Sequence, residues 1–96
     1  RPKMMEVAEN YAKKIIFTSD NNRGEAFQRI AEDATGKSKF KNLIVIQSRQ
    51  DAIIEGLASL TNQNILVILG KGHERIMEEG GNKIPFNDRE CVLSSL

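Results

Sequence analysis

Three short apolar runs, each preceded by a stretch of helical periodicity, constrain this chain more than any other feature. Lys14-Ile15-Ile16-Phe17-Thr18, Leu43-Ile44-Val45-Ile46 and Asn64-Ile65-Leu66-Val67-Ile68-Leu69 do not alternate polar with apolar residues. Each therefore reads as a strand covered on both faces. Ahead of the first run, Pro2 suits a first helical turn, and Met4, Val7, Ala8, Tyr11 and Ala12 recur at helical spacing, which predicts a helix over about residues 2–13. Ahead of the second, Ala26, Phe27, Ile30, Ala31 and Ala34 form another stripe, with Gly36 as its stop signal. Ahead of the third, Ser48 is placed to cap a helix with Asp51 at its third position, and Ile53, Ile54, Leu57, Ala58 and Leu60 supply the apolar face.

Repeated helix-then-strand units predict an α/β domain with a mainly parallel sheet. Right-handed crossovers then bring the loops that follow the strands to one sheet edge, where open α/β sheets bind ligands. The tail follows another pattern. Residues 75–79 and 83–86 predict a hairpin across Gly80-Gly81-Asn82, and Asn87 or Asp88 then caps a last helix that includes Cys91, Val92 and Leu93.

Size and charge narrow the functional classes. With 96 residues the chain suits one domain, which buries roughly 60 to 70% of its unfolded surface and leaves no room for a deep two-lobed cleft. Lys and Arg total 14 against 13 Asp and Glu, mixed along the chain, and aromatics are few, so a nucleic-acid partner is not expected. The single cysteine, Cys91, forms no intrachain disulfide, which fits a reducing cytoplasm, and one histidine cannot complete a zinc set. The longest apolar run is far short of a bilayer span, and the first residues lack signal-peptide architecture, so a soluble protein without a membrane partner is expected. The opening Arg1-Pro2-Lys3 reads as a cut edge, although a processed product would start the same way.

Two of the strand-end loops carry candidate chemistry. Ser19-Asp20-Asn21-Asn22-Arg23 lies between a strand and a helix, where free N–H groups attract anions, and the Arg23 fork suits a carboxylate. The alternative is that Asp20, Asn21 and Asn22 are turn and cap residues and Arg23 is solvated. Gly70-Lys71-Gly72-His73-Glu74 permits close backbone approach, but lacks the spacing and the Ser or Thr of a phosphate loop. Its Glu74 suits an ammonium, the alternative being a solvent-facing charge. An Arg fork and a Glu on one sheet edge together match an amino acid. The chain shows no nucleophile, no acid–base pair and no nucleotide loop.

Arg1-Pro2-Lys3-Met4-Met5, Ile15 through Arg23, Gly70-Lys71-Gly72-His73-Glu74 and Lys83-Ile84-Pro85-Phe86-Asn87-Asp88-Arg89-Glu90 follow one another along nearly the whole chain. In that order they resemble the third domain of the MurE branch of the Mur ligases. The resemblance implies a Rossmann-like three-layer domain over residues 1–96 with a mainly parallel sheet and a C-terminal hairpin and helix, the N-terminal and central ATP-binding domains being absent from this chain. It also implies an enzyme that uses ATP and Mg2+ to add meso-diaminopimelate to UDP-N-acetylmuramoyl-L-alanyl-D-glutamate in peptidoglycan synthesis. ATP converts the glutamate side-chain carboxylate to an acyl phosphate, which the amine of the diamino acid attacks.

The family's diamino-acid motif is Asp-Asn-Pro-Arg, matched here by Asp20, Asn21, Asn22 and Arg23, with Asn22 standing where the family has Pro. That exchange removes a fixed φ and adds an N–H. Gly70 and Glu74 match positions that meet the substrate's amino end. The resemblance thus implies a diamino-acid site of Asp20, Asn21, Asn22, Arg23, Gly70 and Glu74, with no catalytic residue and no metal ligand in this chain. ATP, Mg2+ and the UDP-MurNAc-dipeptide are expected to be bound through the absent domains. A family arginine that contacts the substrate lies upstream of Arg1. Arg23 favours a distal carboxylate over the ammonium of lysine, while Asn22 and Gly24-Glu25-Ala26 leave a close analogue such as lanthionine open. The competing class is a stand-alone amino-acid-binding or regulatory module, and a third is a purely structural interaction domain. Sequence upstream of Arg1 separates the first two.

Overall fold

The computed structural model describes residues 2–20, 26–36, 38–79 and 82–96. Arg1, Asn21, Asn22, Arg23 and the glycine turn at Gly80-Gly81, all singled out above, lie outside the described residues. The elements run α1 (Pro2–Tyr11), β1 (Ile15–Thr18), α2 (Phe27–Thr35), β2 (Leu43–Ile46), α3 (Arg49–Ala58), β3 (Ile76–Glu79), β4 (Asn82–Pro85) and α4 (Asp88–Ser95).

β1 and β2 pair in parallel, with Ile15 opposite Leu43 and Thr18 opposite Ile46. The ladder is extended at both ends, where the Ile15 N–H donates to the Asn42 carbonyl at 3.0 Å and the Ser19 N–H to the Gln47 carbonyl at 3.3 Å. The C-terminal ends of both strands therefore lie side by side, which places Ser19 and Asp20 next to the start of α3. The tail forms the expected hairpin, β3 antiparallel to β4 with Met77 opposite Ile84.

Helix ends follow the sequence signals. The Ser48 hydroxyl accepts the Asp51 N–H at 3.2 Å, and the Asn87 carbonyl oxygen accepts the Glu90 N–H at 3.0 Å. Asn87 is thus the cap of α4, and Asp88 is its first helical residue. Gly36 closes α2 in right-handed conformation, with φ −60°, and its N–H donates to the Glu32 carbonyl at 2.8 Å. A Cβ there would come within 2.6 Å of that oxygen, so closeness to the backbone, not a positive φ, favours glycine.

α1 packs on α2, and α3 packs on β1, β2 and α4. The core is small: Met5, Phe27, Ala31 and Ala34 are buried around the first helix pair, Ala52 and Ile53 on α3, and Met77 and Cys91 under the tail. The Phe17 ring of β1 meets the Phe27 ring at a centroid distance of 6.0 Å. No helix among the described residues is long and apolar enough to cross a membrane.

The run from Asn64 to Leu69 departs from the expectation of a third buried strand. It joins no ladder, and its backbone is not assigned to a strand. Leu66 and Ile68 are half-buried, but Ile65, Val67 and Leu69 are 87, 66 and 68% exposed. The missing side chain of Gly56 lets α3 rest close to Leu66, since a Cβ there would lie 2.9 Å from Leu66 Cδ1. One face is covered in this way, but the run is paired with no described strand of the sheet. An unbroken apolar run reports that both faces favour burial and is silent on which neighbour provides it.

Truncating the buried Phe27 removes a ring that holds α2 to β1. Phe27→Ala is expected to lower the unfolding free energy by about 3–5 kcal/mol, read as a lower urea midpoint at unchanged slope.

Candidate functional site

Four chain segments converge beyond the C-terminal end of β1: Ser19-Asp20, the N-terminus of α3, the loop from Gly70 to Glu74, and the N-terminus of α4. The residue that joins them is Arg49. Its Nε and Nη2 donate to the two carboxylate oxygens of Asp88, both at 2.7 Å. The outer edge of the same guanidinium reaches backbone, Nη1 donating to the Ser19 carbonyl and Nη2 to the Leu69 carbonyl, each at 3.1 Å. Arg49 and Asp88 are 3 and 7% exposed, and Ser19 is 1% exposed.

Local structure explains the placement. Arg49 follows the Ser48 cap as the first residue of α3, and Asp88 follows the Asn87 cap as the first residue of α4. A cation at a helix N-terminus is opposed by the helix dipole, whereas an anion there is favoured. The bidentate carboxylate therefore offsets an unfavourable position for Arg49 while occupying a favourable one itself. Two short charge-assisted bonds also satisfy the geometry under which a buried pair recovers its desolvation cost.

Gly70, with φ +110°, turns the chain sharply at the end of the 64–69 run. Its conformation favours glycine, and a Cβ on it would lie 2.8 Å from Asp20 Oδ2 and displace that carboxylate. Gly72 also has a positive φ, +56°. Between them Lys71 turns inward until it is 2% exposed, and its Nζ donates to the Ile76 carbonyl at 2.8 Å and to Glu74 Oε1 at 3.3 Å. The Glu74 carboxylate is about half exposed. Its backbone is held from the other side, where Asn87 Nδ2 donates to the Glu74 carbonyl at 3.0 Å and the His73 carbonyl at 3.4 Å.

Asp20 is the strained member of the group. Burial raises its carboxyl above the ordinary 3.8, against the lowering pull of Arg49 and Lys71, while Glu74 and Asp88 add to the rise. Its Oδ1 is buried without a hydrogen-bond partner among the described residues.

Of the residues singled out from the sequence, Asp20, Gly70 and Glu74 meet at this corner. Asn21, Asn22 and Arg23 directly follow Asp20 in the chain but lie outside the described residues. Sequence reasoning gave Arg49 and Lys71 no role of their own, and it saw Asn87 and Asp88 only as alternative caps. A cation directly after a serine cap, against the helix dipole, is the signal that marks Arg49 in retrospect. Nothing local marks Lys71. Among the described residues no three His, Cys, Asp or Glu side chains are grouped to hold a metal.

The raised Asp20 pKa has a definite sign in stability. The folded state holds this proton more tightly than the unfolded state, so the contribution is complete below 3.8 and lost as pH rises through the folded value. Relative to Asp20→Asn, the wild-type chain is therefore expected to lose stability as pH rises above about 4. Urea midpoints of both proteins across that range measure it, and a difference independent of pH would refute the assignment.

Comparison with known proteins places this chain in a family. The family described as Mur ligase, glutamate ligase domain, matches residues 1–75. The UDP-N-acetylmuramoyl-L-alanyl-D-glutamate--2,6-diaminopimelate ligase of Wolinella succinogenes is 43% identical over the whole chain, which covers 22% of that protein. The ligase of the same name from Aquifex aeolicus is 39% identical over the whole chain, covering 20% of it. A solved structure of a ligase of this name superposes with a TM-score of 0.93 at 34% identity, over 99% of this chain and 20% of that one. The chain thus spans about a fifth of the length of these relatives. It belongs to the Mur ligase family and has the fold of that family's C-terminal domain.

Proposed function

We propose that this chain is the domain that holds the diamino acid in a ligase extending UDP-N-acetylmuramoyl-L-alanyl-D-glutamate, with meso-diaminopimelate or a close analogue such as lanthionine as the incoming residue. The observation that carries the reading is the meeting of Asp20 and Gly70 at a Cβ-excluding distance, with Glu74 four residues on. This joins, at one sheet edge, the loop that leads to Arg23 and the loop that offers a half-exposed carboxylate. A carboxylate at one end and an ammonium at the other define an amino-acid ligand. The relatives' names specify 2,6-diaminopimelate and supply the substrate class.

In this reading Glu74 accepts hydrogen bonds from the substrate ammonium, and Lys71 orients it by donating to Oε1. Gly70 keeps the wall free of a side chain. Asn21 and Arg23 take the distal carboxylate, and Asn22 stands where the family motif has proline. The domain binds and orients the diamino acid so that an amine meets an activated carboxyl held elsewhere.

ATP and Mg2+ supply that activation in the full-length ligase. The residues of this chain do not fit either group: the sequence's Gly36-Lys37-Ser38 lacks the first glycine of a phosphate loop, Ala31 standing in its place, and among the described residues no three His, Cys, Asp or Glu side chains are grouped to hold a metal. No step is therefore assigned to them on this domain. Without the other domains, the chain binds a diamino acid and forms no peptide bond.

In the full-length ligase, Glu74→Gln and Arg23→Ala are each expected to raise the KM for diaminopimelate by roughly ten- to a hundred-fold, from loss of a charge-assisted bond. The KM for ATP should stay within about two-fold, because each lost contact belongs to one substrate only. Steady-state kinetics with diaminopimelate, lanthionine and lysine test the set. Equal losses toward ATP and the amino acid, or lysine used as well as diaminopimelate, would count against it.

A further inference from the structure

We propose that Arg49 is the positioning residue of this corner: it fixes the spacing between the Asp20 loop and the Gly70–Glu74 loop without touching the ligand, and Asp88 is its counterion. The inference rests on the diamino-acid reading above and deepens it. One guanidinium spends four hydrogen bonds on three separate segments, the carbonyls of Ser19 and Leu69 being the last backbone acceptors before Asp20 and Gly70. A planar fork with fixed angles sets the distance between those two carbonyls, and an ammonium on a flexible stem does not. The loops it ties are the ones that bring Asp20 Oδ2 to 2.8 Å from a Gly70 Cβ position.

The Phe86-Asn87-Asp88-Arg89 segment, distinctive in the sequence but without a ligand role, then finds a purpose. Asp88 holds the inner edge of the Arg49 fork, and Asn87 holds the carbonyls of His73 and Glu74. Both loop ends are thus fastened from the start of α4. Burial excludes Arg49 itself from the substrate, since it is 3% exposed with four of its five N–H donors engaged.

Arg49→Lys tests the proposal, because it keeps the charge opposite Asp88 but cannot span both carbonyls. In the full-length ligase the KM for diaminopimelate is expected to rise roughly ten-fold, with kcat and the KM for ATP within about two-fold. Amide hydrogen exchange on the same protein should show faster exchange around Ser19-Asp20 and around 70–74 together. Asp88→Asn, which retains acceptor and partner geometry on one side, should give the same pattern more weakly. A fall in kcat that only follows the folded fraction, with KM unchanged, would overturn the proposal, as would faster exchange confined to the ends of α3 and α4. Faster exchange in both loops of the Arg49→Lys variant, in an enzyme whose wild type takes no diamino acid, would overturn the substrate reading while supporting the clamp.

Discussion

The buried pair of Arg49 and Asp88 is the interaction on which the rest of this domain depends. Two charges removed from water cost several kcal/mol each, and the cost is recovered only when geometry and remaining hydrogen bonds are satisfied together. Here the carboxylate takes Nε and Nη2 at 2.7 Å, while the outer edge of the guanidinium is used by two strand-end carbonyls. The N-terminal ends of α3 and α4 favour the Asp88 carboxylate and oppose the Arg49 guanidinium, so the cation in particular depends on its counterion. Removing one partner leaves the other buried and unpaired, and it also releases the ends of β1 and of the 64–69 run.

That pair gives the corner its shape, and glycine gives it its closeness. Gly70 meets Asp20 where a Cβ would displace the carboxylate, in a conformation that other residues rarely adopt. Lys71, drawn inward between two positive-φ glycines, spends its ammonium on Ile76 and Glu74 in place of solvent. The resulting corner concentrates Asp20, Arg49, Lys71, Glu74 and Asp88, and the desolvated Asp20 carboxyl carries the consequence as a raised pKa. In the proposed reading, fastening these loop ends leaves less ordering to oppose the binding of a ligand bearing both charges.

The sheet is built with less reserve. β1 and β2 satisfy each other, and the hairpin satisfies itself, but the run from Asn64 to Leu69 has α3 on one side and exposed apolar side chains on the other. Its position is held at the end, by the Leu69 carbonyl on Arg49, and along one face, by Leu66 against Gly56. The site therefore does not depend on a complete ladder. It depends on where Leu69 and Ser19 stop.

Local physics made the first two helix–strand units, the Ser48 cap, the start of the last helix at Asn87 or Asp88 and the tail hairpin legible in the sequence alone, whereas Asp20 and Gly70 were singled out through the family resemblance. Apolar periodicity, cap spacing and glycine placement act over a few residues, and a single sequence records them directly. Tertiary structure alone decided the Arg49 clamp, the burial of Lys71, the contact of Asp20 with Gly70 and the unladdered state of residues 64–69. Arg49 finds its partners 39, 30 and 20 positions away. Which distant groups share a buried volume is settled by how the elements pack, and no local pattern carries that information.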